Sequence, residues 1–266
     1  MQNAFDNLAG KKIVDPKTGN EYQIPILTRE QGLAASKAKE QEQVNRYLKR
    51  LPEQFVRENS MLNEYDVLER SFGKLERVSD EFVEITKQVK QIAEDFKAGK
   101  RYNVLFQGKQ GRGKTTLAAC LINDVVHNSK KPTMCAIVNA TKIGNLVNTY
   151  DDARAEKERK KSDFEVFIKR FKEKCDILVI DDLGKEANLQ TEEREANNLI
   201  QSAWYRIADI SLRKNKAVVI TSNFSTAELN HMYNSATLSR LFMGARNHSI
   251  TFNGERIGDY RQRTEA

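Results

Sequence analysis

Gly108-Lys109-Gln110-Gly111-Arg112-Gly113-Lys114-Thr115 is the stretch on which the fold turns. It satisfies G-x-x-x-x-G-K-[ST], and its surroundings are those the pattern needs. An apolar run of strand length precedes it at residues 102–106, and Leu117, Cys120, Leu121 and Val125 follow at helical spacing. Glycines between a strand and a helix let backbone N–H groups converge on an anion with no Cβ in the way. The helix N-terminus adds a dipole of the right sign. The stretch therefore reads as a cradle for ATP·Mg2+, with Gly108, Gly111, Arg112, Gly113, Lys114, Thr115 and Thr116 holding the nucleotide. Lys114 is expected to reach the β- and γ-phosphates, and the Thr115 hydroxyl to ligate Mg2+. The glycines do not fit G-x-G-x-x-G, the dinucleotide pattern.

After Gly99 the texture of the chain changes. Strand-length apolar runs at 102–106, 133–138, 176–180, 217–221 and 248–252 alternate with helical patterns at 114–127, 141–150, 164–174 and 192–206. That alternation predicts an α/β fold, a parallel sheet flanked by helices. In such sheets ligands gather at the carboxyl ends of the strands. The run ending in Asp181-Asp182 then lies beside the cradle. Asp181 is the expected Mg2+ partner, and Asp182 would orient or polarise the attacking water. The bland alternative is a pair of solvated strand-end acids. Ala217-Val218-Val219-Ile220-Thr221-Ser222-Asn223 ends another buried run in polar residues. Asn223 there either holds water or the γ-phosphate, or merely caps a turn.

The front of the chain is different. Ile13, Val14, Tyr22, Ile24 and Ile26 around Pro16–Asn20 suggest a short hairpin, or equally a loose arm. Thr28 and Gln31 read as a capping box, opening a polar helix to about Arg50 that Pro52 would break. So polar a helix is either a docking surface or a solvated connector. Leu68, Phe72, Leu75, Val78, Phe82, Ile85, Val89, Ile92 and Phe96 form a helical stripe. Two consecutive helices breaking near Ser79-Asp80 explain it better than a coiled coil. A small, mostly helical N-terminal region (1–61) and a main domain (62–266) follow.

The 266 residues carry a formal net charge of +7, which draws polyanions without identifying one. No apolar run approaches membrane-spanning length and no signal-peptide layout opens the chain, so a cytoplasmic protein with no membrane contact is expected. The three cysteines, Cys120, Cys135 and Cys175, lie far apart in apolar runs and read as small buried hydrophobes.

Together, G-K-Q-G-R-G-K-T, I-L-V-I-D-D-L-G, V-I-T-S-N and the terminal G-D-Y-R resemble the AAA+ ATPases of the bacterial and phage helicase-loader family, the DnaC/DnaI type, over roughly residues 62–266. The resemblance implies an AAA+ P-loop fold. It matches Asn223 to the sensor-1 residue, Arg240 to the arginine finger that reaches a neighbour's ATP, and Arg261 to the sensor-2 arginine; Arg246 and Arg256 lie close enough to be confused with these. A permanent planar cation suits a γ-phosphate. The chain departs from the pattern twice. Asp181-Asp182 replaces the usual Asp-Glu, which implies slow hydrolysis. Residues 1–61 also lack the zinc-type cysteine cluster of one loader branch, and a phage origin would fit so divergent a front end.

The implied function is an ATP-dependent loader that binds a hexameric replicative helicase through residues 1–61. It would self-assemble in an ATP-dependent ring or spiral and help place the helicase on single-stranded DNA. Lys157, Arg159, Lys160, Lys161, Lys169 and Arg170 would contact phosphates, unless that face is only solvated and ion-paired. Two other readings stay open. One is an IstB-like transposition helper that binds duplex DNA and a transposase. The other is an adaptor whose nucleotide site is mainly structural.

Overall fold

In the central strands, neighbouring residues point to opposite faces, and both faces are buried. Leu105, Ala136, Val138, Leu178, Ile180, Val218 and Ile220 join one core, whereas Val104, Phe106, Cys135, Ile137, Ile177, Val179 and Val219 join another. Such runs, apolar at every position, are what a parallel sheet covered on both sides demands. The computed structural model describes residues 12–14, 21–23, 29–75, 79–148, 153–187, 195–245 and 248–252.

The chain divides into two compact units, Met1–Leu48 and Lys49–Ala266. In the first, β1 (Lys12–Val14) pairs antiparallel with β2 (Glu21–Gln23), the expected hairpin. The expected cap at Thr28 lies outside the described residues. Helix α1 spans Arg29–Asn59 and does not break at Pro52. A proline inside a helix removes one hydrogen bond and crowds the preceding turn, at a cost of about 3 kcal/mol. Beyond it, Val56 is buried and Phe55 packs on the sheet's core, which offsets that cost.

In the second unit the expected two-helix stripe holds only in its second half. Helix α2 (Asp80–Lys97) starts at Ser79, whose hydroxyl accepts from the Phe82 N–H at 3.1 Å, and buries Phe82, Ile85, Val89, Ile92 and Phe96. The first half forms 3-10 turns at Tyr65–Glu69 and Phe72–Lys74. The Asn123 amide donates to the carbonyls of Leu68 and Arg70 at 2.6 and 2.5 Å, taking acceptors that an α-helix would use.

Then come β3 (Val104–Gly108), α3 (Lys114–Asn128), β4 (Cys135–Asn139), α4 (Ala140–Val147), α5 (Arg154–Lys174), β5 (Ile177–Asp181), α6 (Asn198–Arg213), β6 (Ala217–Ser222), α7 (Thr226–Met232), α8 (Ser235–Leu241) and β7 (Ser249–Phe252). The five-stranded sheet has the order β4-β5-β6-β3-β7, and every pairing is parallel. Helices α2 and α3 cover one face, and α4 to α8 the other. Helix α5 reaches further upstream than the expected 164–174, with Arg159 bridging Glu156 and Asp163 at 3.1 Å each. The three cysteines are buried. Among the described residues, no helix is long and apolar enough to cross a membrane.

This order matters for chemistry. β6 lies between β3 and β5, so the carboxyl ends of three strands far apart in sequence come side by side. Met61 lies along β4, its N–H donating to the Ile137 carbonyl at 2.9 Å and its carbonyl accepting from the Asn139 N–H at 2.8 Å. That pairing brings the segment after α1 toward the same end of the sheet.

Candidate functional site

The cradle begins where β3 must turn sharply. Gly108 has φ +143°, and a Cβ there would collide with the Phe252 carbonyl oxygen on β7. Gly113 is left-handed (φ +82°) as it caps α3. A glycine adopts these conformations without a side-chain clash. The turn leaves a cavity of about 530 Å³, lined by residues 110–116, Leu62, Asn63, Glu64, Asp66, Val67, Arg70, Asn139, Asp181, Asp182, Lys185 and Asn223. Its volume suits a nucleotide-sized ligand.

Lys114 is only 4% exposed. Its Nζ donates to the carbonyls of Gly108 (2.6 Å) and Lys109 (2.8 Å) and to Asn223 Oδ1 (2.7 Å). Burial pulls its pKa down to about 8, against the opposing pull of Asp182 and Asp181. The folded value thus lies below the ordinary one. Without a ligand, the charged lysine costs stability at neutral pH, and that cost lifts as pH rises through 8. Phosphate oxygens in the cavity reverse the balance. Binding of a non-hydrolysable ATP analogue with Mg2+ is therefore expected to take up protons, increasingly from pH 7 to 8.5. Calorimetric titration in buffers of different ionisation enthalpy measures this, and an uptake that does not grow with pH would contradict the assignment.

Asp181 is buried at the end of β5. Its Oδ1 accepts from Thr115 Oγ1 at 2.7 Å and from Thr221 Oγ1 at 2.8 Å. Burial first, and then the neighbouring Asp182, push its pKa up. A carboxylate and a hydroxyl at this distance form a hard oxygen pair of the kind Mg2+ takes alongside substrate phosphates. A divalent cation would also relieve the burial penalty on Asp181, so these residues fit the metal. Arg112 has a buried Nε with no hydrogen-bond partner among the described residues, and it lines the cavity. An orphaned cationic donor beside the cradle suits an anionic ligand.

Asp182 adopts a left-handed φ of +60°. The Thr221 hydroxyl, which accepts from the Asp182 N–H at 2.9 Å, helps hold the turn. The Asp182 carboxylate accepts from Asn223 Nδ2 at 3.3 Å and from Lys185 Nζ at 2.6 Å. Just beyond, Glu186 accepts from the Gly184 N–H (3.0 Å), Trp204 Nε1 (2.6 Å) and the Tyr233 hydroxyl. Burial pushes the Glu186 carboxyl up.

The structure brings Arg112, Lys114, Thr115, Thr116, Asp181, Asp182 and Asn223 around one cavity, with Gly108, Gly111 and Gly113 shaping the loop. Arg240 stands apart. On α8 its guanidinium stacks over Tyr205 at 4.6 Å and donates to the Ala236 carbonyl at 3.1 Å. Asn103 places that helix end by donating to the Leu241 carbonyl and accepting from the Val218 N–H, both at 2.9 Å. Arg246, Arg256 and Arg261 lie outside the described residues.

Sequence reasoning missed Thr221, Lys185 and the wall from Leu62 to Arg70. Thr221 had a signal, as a polar residue inside an apolar strand. The wall had none, because its position depends on Met61 pairing with β4 and on Asn123 gripping two carbonyls.

A family model of the bacterial DnaA ATPase domain matches residues 77–247. No curated protein matches the chain. Among solved structures the chain is similar to a DnaI at 19% identity, with TM-score 0.53 over 74% of this chain and 95% of that one. It is similar to a DnaC helicase loader at 16% identity, with TM-score 0.51 over 71% and 99%. A candidate primosome component from Streptococcus pyogenes serotype M3 matches at 13% identity, with TM-score 0.52 over 74% and 92%. At these identities the likeness is one of fold.

Proposed function

The chain belongs to the bacterial DnaA ATPase-domain family, and we propose that it is an ATP-driven loader of a hexameric replicative helicase onto single-stranded DNA. The observation carrying the ATP reading is the meeting of Lys114, Thr115, Asp181, Asp182 and Asn223 around one cavity. The loader reading is supported by the fold shared with a DnaI and a DnaC helicase loader. It is also supported by the exposed Leu33, Val44, Tyr47 and Leu48 on the largely polar first part of α1.

In this reading Lys114 and Arg112 grip the phosphates, and Thr115 and Asp181 hold Mg2+. The metal supplies charge neutralisation at the β- and γ-phosphates. Asp182 takes a proton from water as its oxygen bonds to the γ-phosphorus and the bond to the bridging oxygen breaks, giving ADP and phosphate. Asn223 aligns Asp182 and Lys114. Arg240 serves the neighbouring protomer's nucleotide, which agrees with its not lining its own cavity, and Arg261 is the sensor-2 arginine. Residues 1–61 dock the helicase, and basic residues of α5 touch DNA. Arg159, already bridging two carboxylates, and Lys160, mostly covered and paired with Glu156, are the poorest candidates among them. Only unequal affinity of the ATP and ADP states for the helicase can drive release.

Size-exclusion light scattering of the protein mixed with its host's replicative helicase, with and without ATP·Mg2+, tests this. A discrete complex is expected, lost when residues 1–48, the part of the N-terminal region outside the ATPase unit, are deleted. If no complex forms in any nucleotide state, while filaments form on duplex DNA, the transposition-helper reading takes its place.

A further inference from the structure

Asp182 is the acid assigned to the attacking water, yet both oxygens of its carboxylate already accept hydrogen bonds. Oδ2 accepts from Lys185 Nζ at 2.6 Å and Oδ1 from Asn223 Nδ2 at 3.3 Å. The two partners differ in kind. The Asn223 amide is held from its other end, its oxygen accepting from Lys114. Lys185 is placed differently: it is three residues along the same turn, partly exposed, and it lines the nucleotide cavity. A carboxylate oxygen committed to an ammonium at 2.6 Å is a poor acceptor for a water proton, because taking the proton would forfeit the ion pair.

We propose that Lys185 is a positioning residue that restrains ATP hydrolysis, acting as a counter-ion that keeps Asp182 from polarising water until Lys185 is drawn away. The negative charge that draws it is an acidic group of a partner bound at the cavity's open side, since the triphosphate is present in every basal turnover. The left-handed turn at Asp182 and the Thr221 hydroxyl beneath it hold the backbone, so release requires only the lysine side chain to swing. Slow basal turnover then follows from the lysine as well as from the shorter second acid. The inference rests on Asp182 being the water-polarising residue.

Steady-state hydrolysis by four purified full-length variants tests it. Lys185→Met is expected to raise basal kcat about threefold to tenfold, the range a partly exposed ion pair can supply, with KM for ATP changed less than twofold. Lys185→Arg keeps the charge and should stay near the parent rate, which a merely structural role would not predict. Asp182→Asn should lower kcat about 100-fold, and adding Lys185→Met to it should produce no rise. A kcat for Lys185→Met that falls or does not change overturns the restraint; a fall with a raised KM would make Lys185 a phosphate ligand instead. If Asp182→Asn leaves kcat intact, it is the assignment of Asp182 that fails.

Discussion

Replacing Lys114 with methionine is expected to lower ATP hydrolysis at least ~100-fold while leaving the fold in place. The separation of the two effects comes from the surroundings of Lys114. Its ammonium is buried among the carbonyls of Gly108 and Lys109 and the Asn223 side chain. With its pKa pulled down to about 8, the charge is held at a cost until phosphate arrives. Methionine keeps the length and the packing and removes that cost. In exchange it leaves three acceptors unpaired, so the effects on stability largely cancel. For the triphosphate there is no such compensation, since the cation is lost where the charge sits. Fluorescent-nucleotide binding, hydrolysis and thermal melting of the same preparation measure the three quantities. Retained turnover would remove Lys114 from the site, and a collapsed melting transition would make its role structural.

Glu186→Leu is expected to destabilise the protein by about 4 kcal/mol, a large part of the stability of an ordinary domain. The carboxylate satisfies three donors on separate elements: the Gly184 N–H in the turn after β5, Trp204 on α6, and Tyr233 between α7 and α8. A buried donor left without a partner costs about 1–3 kcal/mol, and leucine leaves all three. Glu186→Gln should be milder. Its oxygen can still serve Trp204 and Tyr233, but its amide would face the Gly184 N–H, donor against donor. Because burial raises the Glu186 pKa, its ionisation costs stability as pH rises from the unfolded carboxyl range through the folded value. The Gln variant should lose that part of the pH dependence. Urea denaturation at several pH values reads both effects, and a Leu variant within about 1 kcal/mol of the parent would contradict this account.

Much of this was legible in the primary structure because it depends on local rules. The cradle's glycines, the lysine and threonine at its end, and the apolar runs of strand length are short-range patterns. Ser79 capping α2 is another. Misreadings came where distant partners overrule local preference. Pro52 continues a helix because Val56 beyond it is buried. The stretch around Leu68 and Phe72 forms 3-10 turns because Asn123 claims its carbonyls.

The sequence by itself determined the alternation of strands and helices, the phosphate-binding turn and the acids ending β5, since each requires only neighbours within a few residues. Only the tertiary structure decided that β6 lies between β3 and β5. That order places Thr221 under Asp181 and Asn223 between Lys114 and Asp182. It also decided that Lys185 closes on Asp182 and that residues 62–70 wall the cavity. The physical reason is that strand order and ion pairing are selected by packing the whole sheet between its helices. That free energy is spread over both cores and appears in no single stretch of chain.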